Sequence, residues 1–409
     1  MQIVLTIVLL TTIIVILTSA VLIARHLLVP SGDVSILIND SRRITIPAGD
    51  KLLRALTKHG IYLPAACGGR GSCGQCRLVV KRGGGEPLLT EMARINRREL
   101  RNHWRLACMV TVREELAISL PESVLEARQW TCRVQSNRSI STFQAEIVLT
   151  LDDPDDFRFE PGSYVLLHAP PGQTRFANFE IADDYSEEWR QHHLFDIVVD
   201  RNETTVRAYS MANHPLERGV VTFVVRIALP PPNAPAGTPP GRVSSYAFGL
   251  KAGERVTISG PFGTFHTRDS LREMVFIGGG AGIAPLRSMI YDQLLHKKSG
   301  RKITFFYGAR SLRELCYRTE FNELAAQHDN FEWHVALSEP RTGDQWSGAT
   351  GFIHTVVYER YLQEHPRPEE AEYYVCGPPV MSNAVLGMLE DLGVGRDNVS
   401  FDDFGNQAG

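Results

Sequence analysis

The sequence has no excess of basic charge. Its 43 Lys+Arg stand against 46 Asp+Glu, a formal net charge of -3, so the electrostatic footprint of a nucleic-acid binder is missing. It also lacks an even set of cysteines. Seven in 409 residues do not make a disulfide framework, and a chain this long builds its cores without staples. Reduced thiols facing a cytosol are the better reading. No internal repeat and no long low-complexity tract runs through the chain. What remains is globular composition, 43% apolar and 22% charged, in a chain long enough for two to four domains.

One stretch lacks charge altogether. Ile3 to Ala24 reads "IVLTIVLLTTIIVILTSAVLIA", 22 residues without an ionisable side chain. At a helical rise of ~1.5 Å per residue it spans roughly 33 Å, enough for a bilayer core of about 30 Å. A signal peptide would want a basic n-region, a shorter apolar run and a small-x-small cleavage site. Here only Met1 and Gln2 precede the run, and Arg25 and His26 follow it. The pattern predicts an uncleaved transmembrane anchor over 1–26, with the C-terminal bulk in the cytoplasm by the positive-inside rule.

Three textures follow. From 33 to 126, short strand runs ("VSILIND", "RRITIPAGD") surround one helical stretch, "KLLRALTKHG", with Gly60 as its cap. From 130 to 268, strand-like runs such as "FQAEIVLTL", "SYVLLHA" and "VVTFVVRIAL" alternate with turns, the pattern of an antiparallel barrel or sandwich. A polar insertion over 171–193, bearing Phe176, Phe179, Tyr185 and Trp189, and the proline-rich "LPPPNAPAGTPPG" interrupt it. From 269 to 409, strands such as "MVFIGGG" and "KITFFYGAR" alternate with helices, which reads as a doubly wound parallel sheet. The whole is a multidomain α+β and α/β chain.

The first domain carries "CGGRGSCGQC", with spacing Cys67-x5-Cys73-x2-Cys76, and Cys108 downstream in "WRLACMV". Four thiolates are the ligand set of an iron–sulfur cluster held wholly by cysteine. Zinc ribbons prefer two C-x2-C pairs, and Cys108 has no partner at that spacing. The glycines between the thiols let the backbone curl around a cluster and turn N–H groups toward its sulfurs. Cys132 and Cys316 read as small buried apolar residues. The domain resembles the chloroplast-type ferredoxins, a β-grasp fold, although their first cysteine gap is one residue shorter. The resemblance implies a [2Fe–2S] cluster on Cys67, Cys73, Cys76 and Cys108.

In the second domain, "RAYS" (207–210) groups a guanidinium for a phosphate, a ring for stacking and a hydroxyl for a ring nitrogen. "GRVSSYAF" (241–248) puts Gly241, Ser244 and Ser245 at a helix N-terminus, where anions settle. In the third, "VFIGGGAGIAPLRSMI" offers Gly279, Gly280, Gly282 and Pro285 at a strand–turn–helix junction suited to a pyrophosphate. Arg310 ends the "YGAR" strand, and "CGPPVM" brings Cys376, Gly377 and Pro378 to another strand end.

Together these strings resemble the ferredoxin–NADP reductase superfamily. The resemblance implies that Arg207 and Ser244 bind FAD phosphates, Tyr209 stacks on the isoalloxazine, and Ser210 sits near its reactive nitrogen. It also implies that Cys376 lies near the hydride path and that Phe404, in "SFDDFGNQAG", covers the other flavin face. The order of domains describes a converter: a hydride brings two electrons, a flavin releases them singly, and a [2Fe–2S] cluster passes one at a time.

Along essentially its full length the chain is similar to the NADH-oxidising F subunits of Na+-translocating NADH:quinone reductases. The anchor, the cysteine spacing, the insertion before "RAYS" and the "DDFG" tail carry this likeness. It implies NADH as donor, a bacterial inner membrane, and partner subunits leading to ubiquinone. With no acid inside the single span, the ion path is expected in the assembly. The insertion aromatics are expected to form a docking surface. The other readings are a membrane-attached NAD(P)H-dependent reductase component of an oxygenase and a non-catalytic ferredoxin-type carrier or assembly subunit.

Overall fold

The computed structural model of the chain describes residues 2–28, 32–65, 67–121, 124–125, 127–154, 157–231, 234–235 and 237–403. Two compact units emerge, one from Met1–Pro64 with Gly69–Glu126, the other from Ala65–Gly68 with Ala127–Gly409.

The first unit opens with α1 (Gln2–Leu28). Its side chains are described at 6, 7 and 9–20 only, so the segment expected as an anchor over 1–26 is described as a helix but only in part by its side chains. Among the described residues no helix is long and apolar enough to cross a membrane.

Five strands follow: β1 (Asp33–Ile38), β2 (Arg42–Pro47), β3 (Arg77–Arg82), β4 (Trp104–Leu106) and β5 (Leu116–Ser119). Their order is β2-β1-β5-β3-β4, with β1 and β5 parallel and the other neighbours antiparallel. The β1–β2 hairpin turns on Asn39 and Asp40, both left-handed at φ 48° and 58°, a conformation these two side chains tolerate. Helix α2 (Leu52–Lys58) buries Leu52, Ala55 and Leu56 at helical spacing. Gly60, at φ +75°, ends it in a Schellman motif: Ile61 N–H reaches Leu56 O and Gly60 N–H reaches Thr57 O. Two short helices that the hydrophobic pattern does not announce, α3 (Leu89–Met92) and α4 (Arg97–Arg101), lead into β4.

The second unit begins with a six-stranded antiparallel sheet. Its strands are β6 (Arg128–Ser141), β7 (Gln144–Leu151), β8 (Tyr164–Ala169), β11 (Thr205–Ser210), β12 (Val220–Arg226) and β13 (Arg255–Phe262). The order is β11-β8-β13-β6-β7-β12. A bridge between Met211 and Phe223 joins the two outer strands, so the sheet closes as a barrel rather than a sandwich. "RAYS" is the end of strand β11. Between β8 and β11, β9 (Gly172–Arg175) and β10 (Val198–Arg201) form a ribbon whose loop carries α5 (Asp183–Gln191). Helix α6 (Arg242–Gly249) leads into β13.

The rest is a parallel sheet of β14 (Met274–Gly279), β15 (Ile303–Ala309), β16 (Phe331–Leu337), β17 (Ala349–Thr350), β18 (Glu372–Gly377) and β19 (Val399–Asp403). They lie in the order β17-β16-β15-β14-β18-β19. Helices α7 (Ile283–Tyr291), α8 (Arg318–Gln327), α9 (Ile353–Val357) and α10 (Pro379–Asp391) alternate with them. Two apolar clusters pack around this sheet, one containing Phe276, Phe305 and Tyr374, the other Ile277, Phe306 and Val375. These residues alternate along their strands, so each strand buries both faces, as a parallel sheet requires.

Candidate functional site

The cysteine loop is built on left-handed glycines. Gly68, Gly69, Gly71 and Gly74 have φ between +67° and +85°, where a side chain is strained. Cys76 and Cys108 are buried, with their sulfurs 3.3 Å apart. The Ala107 N–H donates to Cys76 O at 2.8 Å, fixing the two segments together. The Cys108 thiol beside it and its own burial push the Cys76 thiol far up, and Cys73 adds to the shift. Cys67 is half-buried on its own turn. Among the described residues no three His, Cys, Asp or Glu side chains form a closed metal-holding group. Two adjacent buried thiols, Cys76 at the end of the curled loop and Cys108 downstream, with Cys73 in electrostatic range, are a donor set for a soft, positively charged centre, and they fit an iron–sulfur cluster.

A buried ion pair fastens this region. Arg105 Nε and Nη2 each donate to Glu91 at 2.8 Å, and the Leu88 and Leu106 N–H groups donate to the same carboxylate. Burial alone would raise the Glu91 carboxyl; Arg105 and the two amides outweigh it and hold the group below its ordinary range. Sequence reading missed this pair, because neither residue belongs to a spacing motif.

In the barrel, Arg207 and Tyr209 lie two apart on β11 and so share a face, with Ser210 on the other. Tyr209 packs its ring 6.0 Å from Phe223, and burial pushes its phenol up. Arg207 Nη1 donates to Val206 O at 2.8 Å. Gly241 precedes α6. Its carbonyl accepts from the Ser244 hydroxyl at 3.0 Å and the Ser245 hydroxyl at 2.7 Å, and Ser244 Oγ accepts from the Ala228 N–H. Ser245 is fully buried. The hydroxyl expected at a phosphate is therefore turned inward at Ser245. The first-turn amides of α6 supply donors at the same place, and with Arg207 and Tyr209 they fit a flavin nucleotide.

A cleft of about 180 Å³ opens at the carboxyl ends of the parallel strands. Gly279 and Gly280 form its floor, and Gly308, Arg310, Ser338 and Pro378 come from neighbouring strand ends. Gly282 stands behind it, where an added Cβ would lie 2.1 Å from Cys376 O. Pro285 is buried in the first turn of α7, a position that needs no N–H partner. Cys376 is fully buried on β18, and Gly377 packs against Met381.

The barrel contributes two residues that sequence reading missed, Gln144 and Arg226. They are direct cross-strand partners of β7 and β12. Gln144 Oε1 and Ser311 Oγ are buried without a hydrogen-bond partner among the described residues. Glu314 also lines the cleft, and burial raises its carboxyl against the pull of Thr142 and Arg226. The orphaned Gln144 oxygen, two arginines and a glycine floor fit a pyrophosphate-bearing dinucleotide. Arg310 already pairs with Glu339 at 3.0 Å, both exposed. Phe404 lies outside the described residues; β19 ends at Asp403, in register with Gly377.

The insertion aromatics are a correction. Phe176 and Trp189 are fully buried and Phe179 nearly so, and Trp189 Nε1 donates to Thr142 O at 2.7 Å. Their rings stack on one another and on Phe248. An amphipathic helix on a two-stranded ribbon needs an apolar face of its own, and these rings supply it. Phe176, Phe179 and Trp189 extend the barrel core and are not available for docking, while Tyr185 stays half-buried.

The chain matches three domain families: "2Fe-2S iron-sulfur cluster binding domain" over 36–113, "Oxidoreductase FAD-binding domain" over 190–267, and "Oxidoreductase NAD-binding domain" over 276–386. The fold is that of Amycolatopsis cytochrome P450 reductase GcoB, with a TM-score of 0.64 at 24% identity, covering 91% of this chain and 99% of that one. A ferredoxin reductase in carbazole 1,9a-dioxygenase gives 0.60 at 25%, covering 91% and 98%. Fold and sites thus define a nicotinamide-dependent flavoprotein oxidoreductase with its own iron–sulfur domain. Within that class, the F subunit of the Na(+)-translocating NADH-quinone reductase of Serratia proteamaculans is 50% identical over 99% of this chain and all of its own length. That of Neisseria gonorrhoeae is 50% identical with the same coverage, and that of Pseudomonas aeruginosa PAO1 is 49% identical over 97% of each chain. The chain belongs to this family, the F subunits of Na(+)-translocating NADH-quinone reductases.

Proposed function

We infer that the chain is the NADH-oxidising, electron-input subunit of a Na+-translocating NADH:quinone reductase. The observation that carries this is likeness at about half identity from end to end, 99% of the chain. When bound, NADH gives a hydride to FAD, and FAD releases the electrons singly to the [2Fe–2S] cluster.

The chain's residues bind, orient and exclude water. Cys67, Cys73, Cys76 and Cys108 hold the cluster. Arg207, the start of α6 and Ser244 hold the FAD phosphates, Tyr209 orients the ring, and Ser210 stands at its reactive edge. Gly279, Gly280, Gly282 and Pro285 shape the turn that admits the NADH pyrophosphate. Arg310 and Arg226 neutralise the pyrophosphate, and Cys376, Gly377 and Pro378 border the nicotinamide. Gln144 supplies a polar contact left open in the cleft.

The functional divisions are 1–26 as anchor, 33–126 for the cluster, 130–268 for FAD and 269–409 for NADH. Residues 1–26 form a single membrane span, with the remaining domains on the cytoplasmic side of a bacterial inner membrane. The uncharged run from Ile3 to Ala24, followed by Arg25, supports this. Partner subunits take the electrons onward to ubiquinone.

The test is NADH-driven sodium uptake in inverted membrane vesicles. Deleting the gene abolishes uptake, and the intact gene restores it while a Cys73→Ala copy does not. Uptake that survives deletion would move the acceptor to an oxygenase or another membrane partner.

A further inference from the structure

The segment 87–103 of the first unit contains two acids, and both are already paired, with Arg105 and Arg77. Glu91 is fully buried on Arg105. Glu99 pairs with Arg77 at 2.6 Å and accepts from the Asn96 N–H at 3.0 Å. The arginines stay outside. Arg94, Arg97, Arg98 and Arg101 are exposed, as is Arg70 on the cysteine loop, and none has an acidic partner among the described residues. Leu88, Leu89 and Met92 stand among them, 47%, 83% and 50% exposed.

This patch borders the cysteine loop. The Thr90 hydroxyl lies 3.3 Å from the sulfur of Met109, the residue after Cys108. A Cβ on Gly71 would meet Met109 Cε at 2.9 Å, and one on Gly74 would meet the Arg94 Cβ at 3.3 Å. Arg97 and Arg101 are like charges one turn apart, which weakens α4, in a chain whose net charge is -3. An apolar centre ringed by arginines has the composition of a protein interface. A bilayer is the poorer match, because the chain enters the sheet at Asp33, at the end opposite Arg77 and the cysteine loop.

Resting on the electron-input reading, we propose that this face docks the electron acceptor, and that the acceptor presents an acidic protein surface with an apolar centre. One electron leaves the reduced cluster and reduces the acceptor at each encounter, so two encounters discharge one NADH. No bond forms or breaks at the face. Complementary charge fixes the register and speeds encounter.

The experiment uses the assembled complex with Arg97→Glu/Arg98→Glu/Arg101→Glu and, separately, Leu89→Glu. Two rates are read: bleaching of the cluster absorbance by NADH, and NADH:quinone reduction, at fixed sodium with choline chloride varied. Bleaching stays within twofold of wild type, quinone reduction falls tenfold or more, and the triple lysine variant retains it. Unchanged quinone reduction in both variants overturns the proposal, leaving a solvated face. Slowed bleaching overturns it by assigning the face to the chain's own flavin-bearing unit. A triple lysine variant as impaired as the glutamate one overturns the charge argument. Release of the variants from anionic vesicles with electron transfer intact assigns the face to lipid and also overturns it. Wild-type complex that reduces no quinone from NADH sinks the proposed function instead, and this is read before any variant.

Discussion

Gly282 has an ordinary φ of -62°, so space rather than conformation makes it a glycine. An added Cβ would lie 2.1 Å from Cys376 O and 2.4 Å from Cys376 C, and backbone atoms do not swing aside. Gly282→Ala should therefore separate the α7 turn from β18, at about 1–3 kcal/mol, the usual cost of overpacking. Thermal unfolding should show a lower midpoint and NADH titration a raised KM; an unchanged midpoint would refute the packing argument. The glycine string was legible in the sequence, but the reason for this glycine was not, because its contact comes from a strand almost a hundred residues away. His168 makes a second residue-scale prediction. Burial holds its imidazole down at about 4, with Nε2 2.8 Å from Ser259 Oγ. The folded pKa lies below the unfolded value of about 6.5. From pH 6.5 down to 4 the unfolded chain therefore takes up a proton that the folded chain refuses. Stability falls over that window by about 1.4 kcal/mol per pH unit at most, and the contribution is flat outside it. Denaturant unfolding at pH 7 and pH 5 should show the loss, reduced in His168→Asn; equal slopes for both proteins would assign it elsewhere.

At the scale of elements, the pair Glu91–Arg105 ties α3 to β4, two residues before the buried Ala107–Cys108 step. Both side chains are almost wholly enclosed, at 0% and 6% exposure. Removing one partner leaves a buried charge unpaired, which costs roughly 3–5 kcal/mol, whereas replacing both by apolar groups of similar volume costs far less. Arg105→Met should therefore unfold the first unit more readily than Glu91→Leu/Arg105→Met, and should speed loss of iron to a chelator. If the double variant is as unstable as the single, the backbone bonds to Glu91 carry the weight. This pair and the insertion show where sequence reading stops. Periodicity identified α2, the hairpin and the alternating half, since each carries its apolar pattern within one element. It could not say that Phe176, Phe179 and Trp189 point inward, because the two phenylalanines sit in a short turn before α5, and α5 itself, rich in Asp, Glu and Arg, shows no continuous stripe. It passed over β6 as well, whose mixed burial follows from its polar text, "RQWTCRVQSNRSIS". The barrel's share of the cleft was missed for a related reason: Gln144 and Arg226 belong to no motif and meet only through the β7–β12 register.

For the whole molecule, the cofactor-binding domains and the uncharged N-terminal run should separate experimentally. The second unit contains the barrel and the parallel sheet within one compact body, so NADH oxidation is expected to need nothing from α1. The side chains from Ile13 to Leu17 on α1 are 45–60% exposed, an apolar face that nothing within the chain covers among the described residues, and burying it elsewhere is favourable at about 25 cal/mol per Å². Deleting residues 1–26 should therefore move the chain from the membrane fraction to the soluble one. Its NADH oxidation with a flavin-directed artificial acceptor should remain within about twofold, while NADH:quinone reduction in reconstituted membranes falls tenfold or more, since the loss of a tether removes effective concentration and no catalytic group. Restoring an unrelated uncharged span of equal length should recover most of the quinone rate if tethering is the whole contribution. Recovery only with the native span would mean that α1 recognises partner helices by its own side chains. A truncated chain that still sediments with membranes would assign the attachment to another surface of the molecule.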